Sequence, residues 1–380
     1  MTAPRRPQPP TLEEPTEPGA PRRAAAQRSR RQALRHGWRL AAGVAALGLP
    51  RAAAWAGEEA AATAPAVTFL DRAAGVAALT QAAGDTYYDT MGLLEIRARM
   101  NAPLPGAALA EARQAVRAYD GAAVESFSAE ERAAIGGVVA RMQPLLAERA
   151  PLYARTPWSF VKLADRAEGG MPHTRGPHIV LPAAVCQAYV RLQRELQAGG
   201  TLAGSPRGRN LLVHEQTHVL ERADPARFEP LFTEVFGFTR MRPAPSTPWL
   251  DAHRVINPDG PDVAWAFALE RIGGSGWVMP DVTLPDLAQP HMPRDFRAVA
   301  VDVVNADGRW QVVEAAGKPR LRDLDALPGY HAHFPFPDED FHPNEIAAVL
   351  LAHWILQDVP DLARHALMDG AAAWARSALR

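Results

Sequence analysis

Residues 209–222, RNLLVHEQTHVLER, set two histidines and a glutamate into a run that is otherwise rich in leucine and valine. The apolar positions Leu211, Leu212, Val213, Val219 and Leu220 read as a helix packed into a core. A bare imidazole is costly in such a place unless something satisfies it. His214 and His218 are four residues apart, so on a helix they share one face and reach a common point. The pattern His214-Glu215-Gln216-Thr217-His218 is HExxH, whose two histidines are suited to bind one zinc ion. Reactive zinc sites take three protein ligands and keep a fourth position for water. Glu215 projects about 100° around the helix from His214 and is the candidate general base. The fold must therefore deliver a third ligand from another part of the chain.

Three carboxylates compete for that place. Asp224 gives HExxHxxExxD, a ligand spacing of metzincin type. Such sites need a glycine three residues after the second histidine to turn the chain, and Glu221 stands there instead. Glu234, in FTEVFGF, lies about four turns further along if the helix continues, but Asp224-Pro225 is a helix breaker. Glu345, in FHPNEIAAVLLAHWIL, follows Pro343, a residue suited to a first helical turn. Glu345 would project from the start of an apolar helix, and it is the preferred candidate. Oxyanion stabilisation is open among Tyr330, His331 and His333 in GYHAHFPF, with His331 and His333 on one side of an extended segment, and His342 close to Glu345.

The surrounding pattern is α+β. From about Pro65 to Pro157 the apolar spacing is helical, and Ser128 with Glu131 forms a capping box. WSFVKLA and HIVLP read as strands around a Gly/Pro turn, and AAVCQAYVRLQRELQ as a helix stopped by Gly199-Gly200. After the proline-rich stretch Pro243 to Pro261 the character changes. VAWAFALE, SGWVMPDVTL, RAVAVDVV and RWQVVEA are short β-type runs, with Asn305-Ala306-Asp307-Gly308 as a hairpin turn. These imply a small antiparallel insert at about 262–325, followed by helix from about Pro343. The segment PHTRGPHIVLP is a candidate edge strand for pairing with an extended peptide.

Residues 1–56 read as an address rather than a fold. SRRQALR, with Arg30-Arg31 after a serine, precedes the moderately apolar WRLAAGVAALGLPRAAAWA, and Ala54-Trp55-Ala56 fits a cleavage site before Gly57. This resembles a twin-arginine export signal and implies a periplasmic or secreted protein. Pro50 and Arg51 cut the apolar run well short of a bilayer span, so no stable membrane anchor is expected. Of 41 basic and 42 acidic residues, ten and three precede Gly57, which leaves 31 against 39, a formal charge of −8. That balance argues against nucleic acid as a partner. The single cysteine, Cys186, rules out an intramolecular disulfide and reads as a buried thiol.

RNLLVHEQTHVLERADPARFEPLFTEVFGF, the later NPDGPD and HPNEIAA together resemble the gluzincin metallopeptidases. More narrowly, they are similar to exported bacterial HExxH proteins that end in an HPxEI-type helix. The resemblance spans about Trp158 to Leu356. It implies a zincin-like catalytic domain over 158–380, a helical N-terminal region over 57–157, and zinc on His214, His218 and Glu345. It also implies a peptide or protein substrate. The gap of about 127 residues from His218 to Glu345 is longer than in compact gluzincins, and the β insert fills it. Val349 stands where many gluzincin helices carry an aspartate beside a ligand histidine, so another group must orient that imidazole. The alternative functional class is a non-catalytic zinc-binding envelope protein that retains the fold.

Overall fold

The computed structural model describes residues 65–82, 86–104, 108–200, 206–260, 264–336, 339–357 and 365–380. The export signal expected at 1–56 lies outside the described residues. Helix and strand are mixed along the chain, as an α+β pattern requires.

The first sheet is built of β1 (Val67–Phe69), β2 (Val124–Glu125), β3 (Trp158–Leu163), β4 (His173–Arg175) and β5 (His178–Pro182). The order is β1-β3-β5-β4; β1, β3 and β5 run parallel, and β4 lies antiparallel at one edge. β2 pairs antiparallel with the far end of β3. Alternate residues of β3 and β5 feed two cores. Trp158, Phe160, Ile179 and Leu181 point into the main core, while Val161, Leu163 and Val180 join Leu79, Ala123 and Val124 in a second. Burial on both faces explains why these strands read as apolar runs rather than as an alternation.

Helices of the N-terminal region 57–157 form a layer on this sheet. β1 pairs with β3, and the helices Arg72–Thr80 and Leu109–Ala123 supply Leu79 and Ala123 to the second core. On the other face lie the helices Ala129–Arg149 and Ala183–Gln197, with Val138, Met142, Cys186 and Tyr189 buried. The capping box closes as expected: the Glu131 amide donates to Ser128 Oγ at 3.1 Å and the Ser128 amide to Glu131 Oε2 at 2.8 Å. Burial pushes the Cys186 thiol up to about 12, so it is an inert core group.

The second sheet contains β6 (Phe238–Arg240), β7 (Trp265–Ala268), β8 (Trp277–Thr283), β9 (Arg297–Ala306) and β10 (Arg309–Val312), joined antiparallel in sequence order. A small hairpin of β11 (Glu314–Ala315) and β12 (Lys318–Pro319) leads to β13 (Leu321–Asp323), which returns to β9. Asp307 and Gly308, both at positive φ, make the two-residue turn between β9 and β10. The sheet begins at Phe238, earlier than the insert expected at about 262. β6 is three residues long and precedes a proline-rich crossing, so its strand character comes from the pairing of Phe238 with Phe267 rather than from its own pattern. Phe238, Phe267, Phe334 and Tyr330 stack into one aromatic group within the main core.

Candidate metal centre

The HExxH segment lies on the helix Pro206–Ala223, which packs against β4 and β5 on one side and the helix Pro343–Leu356 on the other. Leu212, Val213, Val219 and Leu220 anchor it in the core. The helix stops where Pro225 opens the next one, Pro225–Pro230, capped by Asp224 accepting from the Arg227 amide. The second helix is apolar almost all round and buried, and Pro343 occupies its first turn. Its N-cap is His342, which accepts from the Asn344 amide at 3.2 Å. Glu345 therefore leaves this helix at its N-terminal end, where the helix dipole favours a carboxylate.

Across the seam between the two helices, three ligand atoms converge. His214 Nε2 and His218 Nε2 are 3.0 Å apart. Glu345 Oε2 is 3.2 Å from the first and 3.4 Å from the second. This group could hold a metal ion. Glu234 and Asp224 do not join it. Asp224 is committed to the cap and to Arg227, whose Nε donates to Asp224 Oδ2 at 2.9 Å, and Glu234 lies beyond the break at Pro225.

A ring of polar groups holds the three. His218 Nδ1 lies 2.9 Å from Glu221 Oε2, one helical turn on. This carboxylate stands beside the imidazole where the Val349 side chain offers no acceptor. Asn257 Nδ2 donates to Glu345 Oε1 at 2.5 Å, and Asn344 Nδ2 reaches the same oxygen at 3.4 Å. Burial opposes charge on His218, but Glu345, Asp259 and Glu221 outweigh it and hold the imidazole well above its usual range. Burial likewise opposes charge on Glu345, but His218 and His214 keep it well below the usual carboxylate range. Burial pushes Glu221 up to about 7.

Glu215 is 3% exposed. Burial, with the Asp259 charge second, raises its carboxyl to about 8. Its Oε2 finds no hydrogen-bond partner among the described residues.

Tyr330 and His331 have different partners. Rather than an extended segment, Tyr330–His333 forms a single helical turn after Gly329, so His331 and His333 do not share one side as expected. Tyr330 is fully buried and donates to the Asp340 carbonyl at 2.9 Å; His331 Nδ1 lies 2.5 Å from the Asp340 carboxylate. Both act on the strand of chain that leads into the Glu345 helix.

PHTRGPHIVLP, expected as one edge strand, is two strands: β4 lies at the edge, while β5 is interior, paired with β3 and β4. The outward-facing group of β4 is occupied from within the chain: the Thr174 amide and hydroxyl donate to Asp259 Oδ1 at 2.5 and 2.8 Å. Glu221, Asn257, Asp259 and Asn344 were not singled out by sequence reasoning. Glu221 was visible as the residue one turn after His218, and Asn257 and Asp259 as the turn-forming NPDG, but only the fold brings that turn to Glu345.

Comparison of the chain with protein-family models, with curated proteins and with solved structures returned no match.

Proposed function

We propose that this chain is a zinc-dependent peptidase of the HExxH class, with His214, His218 and Glu345 as ligands and Glu215 as general base. The observation that carries the reading is the triangle of donor atoms, with sides of 3.0, 3.2 and 3.4 Å. Tetrahedral zinc with bonds of about 2.0–2.1 Å needs neighbouring donors roughly 3.3 Å apart. Two imidazoles and one carboxylate are also a donor set that suits zinc in a reactive site, the ion displacing the proton that metal-free His218 would carry. The carboxylate at His218 Nδ1 adds support, because a ligand imidazole holds its second ring proton against such a group.

When bound, the ion supplies Lewis acidity and lowers the pKa of water. The chain's own residues do the rest. His218 Nδ1–H is held by Glu221, so the ring keeps Nε2 as its ligand atom. Glu215 Oε2 accepts the proton of the attacking water and returns it to the amide nitrogen that leaves. Tyr330 and His331 fix Asp340 and so the approach to Glu345. A peptide or protein substrate is proposed from the HExxH group alone, because the outer edge of β4 is already taken by Asp259. We further propose export through the paired arginines at 30 and 31, which places the peptidase in the periplasm or outside the cell.

The test is metal content after substitution. The purified chain should carry about one zinc. His214→Ala or His218→Ala should remove it, and Glu345→Gln should weaken it several-fold or more, on the order of tenfold as for other site groups. Full zinc in Glu345→Gln together with loss in Asp224→Asn would replace this ligand set with the metzincin-like one.

A further inference from the structure

Glu345 offers two oxygens, and only one of them faces the histidines. Oε2 is the atom 3.2 Å from His214 and 3.4 Å from His218. Oε1 is taken by the Asn257 amide at 2.5 Å. We propose that Asn257 is a positioning residue that makes Glu345 present a single oxygen to the metal. The inference rests on the reading of His214, His218 and Glu345 as a metal centre.

Asn257 is held for this purpose from both sides. Just before it, the Ile256 amide donates to Glu95 Oε1 at 2.9 Å and the Ile256 carbonyl accepts from Arg99 Nη2 at 2.7 Å. Glu95 and Arg99 are both buried, so this is a fixed anchor. Just after it, the Asp259 amide donates to Asn257 Oδ1 at 2.9 Å. That contact settles which end of the side-chain amide is which: Oδ1 is the acceptor, so Nδ2, a donor, is the end that meets Glu345. Asp259 is itself clamped to Thr174 on β4. Gly260 lets the turn sit directly on Asn344, since a Cβ there would come within 2.6 Å of that side chain. The loop 256–260 is therefore pinned to two elements, and Asn257 is its contact with Glu345.

The chemical consequence follows from the donor count. A carboxylate free at both oxygens can bind a metal through either or both. A charge-assisted hydrogen bond to one oxygen withdraws it from that choice. Two histidines and one carboxylate oxygen then leave a position for water, which a two-oxygen carboxylate would crowd. Among the described residues no other hydrogen bond to Oε1 is as short; Asn344 is at 3.4 Å and its amide also lies 3.3 Å from His218 Nδ1.

Two variants separate the contact from the loop. Asn257→Asp keeps an acceptor for the Asp259 amide but has no donor for Glu345. Asn257→Ala removes both. Metal-stripped wild type and variants are titrated with zinc against a chromophoric chelator, then loaded with cobalt(II) alone for visible spectra. The zinc Kd should rise by about ten- to hundredfold in both variants, the usual effect of losing a group that orients a ligand. The visible cobalt bands should weaken in both, as coordination number increases. Wild-type Kd and spectrum in Asn257→Asp, with a defect only in Asn257→Ala, would overturn the proposal and assign Asn257 to the loop alone. Unchanged Kd and spectrum in both variants would overturn it as well. If Asn257→Ala fails to fold, Asn257→Asp still decides. A wild-type chain that takes up no zinc or cobalt removes the metal-centre reading itself, an outcome distinct from the others.

Discussion

Exchanging Glu221 for glutamine isolates the charge behind His218 from its shape. Glu221 Oε2 lies 2.9 Å from His218 Nδ1, and the side chain is buried. Glutamine fits the same volume and its amide oxygen can still accept the ring proton. What is lost is the ionic part of the bond. Hydrogen bonds to a charged partner contribute about 1.5–3 kcal/mol, against about 0.5–1.5 kcal/mol for neutral ones. The exchange therefore removes about 1–1.5 kcal/mol from the holding of His218, and the zinc Kd should rise about tenfold. The metal-free protein should behave differently. Burial pushes Glu221 up to about 7, so its charge is a burden on the fold near neutral pH. Glu221→Gln should leave metal-free stability unchanged or raise it. The assay is a competition titration for zinc with a urea melt on the same metal-free sample. A zinc Kd equal to wild type would refute the claim that Glu221 orients the ligand. Loss of metal-free stability without a change in Kd would make it a packing residue only.

Two further outcomes follow from other parts of the chain. Arg99, 2% exposed, contacts Glu95, Glu168 and the Ile256 carbonyl; Arg99→Met removes the cation that both buried carboxylates share, leaving them the Ile256 amide and the Tyr87 hydroxyl, and should cost about 3 kcal/mol in urea unfolding, and a loss below about 1 kcal/mol, the worth of a surface pair, would contradict the role of that ion group as the anchor of the 256–260 loop. Replacing both Arg30 and Arg31 by lysine should leave the precursor inside the cell, and unchanged export in a fractionation assay would discard the twin-arginine reading.

Much of the candidate site was legible because its signals are local. The i, i+4 spacing of His214 and His218 needs only a helix to bring the two rings together, and Pro343 marks the start of the helix that carries Glu345. The strands β3 and β5, the hairpin at Asp307-Gly308 and the capping box at Ser128 rest on periodicity and turn chemistry in the same way. What was not legible depends on contacts between distant segments. β1 is a strand because it pairs with β3 nearly a hundred residues later; three residues have no period to read. β6 acquires its strand geometry from Phe267 in the same manner. Asn257 reaches Glu345 across 88 residues, and Thr174 meets Asp259 across 85, separations at which sequence offers no register. The turn Tyr330–His333 was read as extended because two histidines at i and i+2 match a strand period, whereas Gly329 at positive φ starts a helical turn there.

The central claim is that Glu215 serves a reaction and not the metal. It lies on the HExxH helix yet outside the ligand triangle, and its Oε2 has no partner among the described residues. Zinc content and peptide turnover measured on the same preparations of wild type and Glu215→Gln test this directly. Glutamine keeps the shape but cannot accept a proton, so zinc should stay near one per chain while hydrolysis of a peptide library falls by a factor on the order of 10² to 10⁴. Loss of zinc in Glu215→Gln would make Glu215 structural. Equal turnover in the two proteins, or none in wild type that carries zinc, would contradict the account.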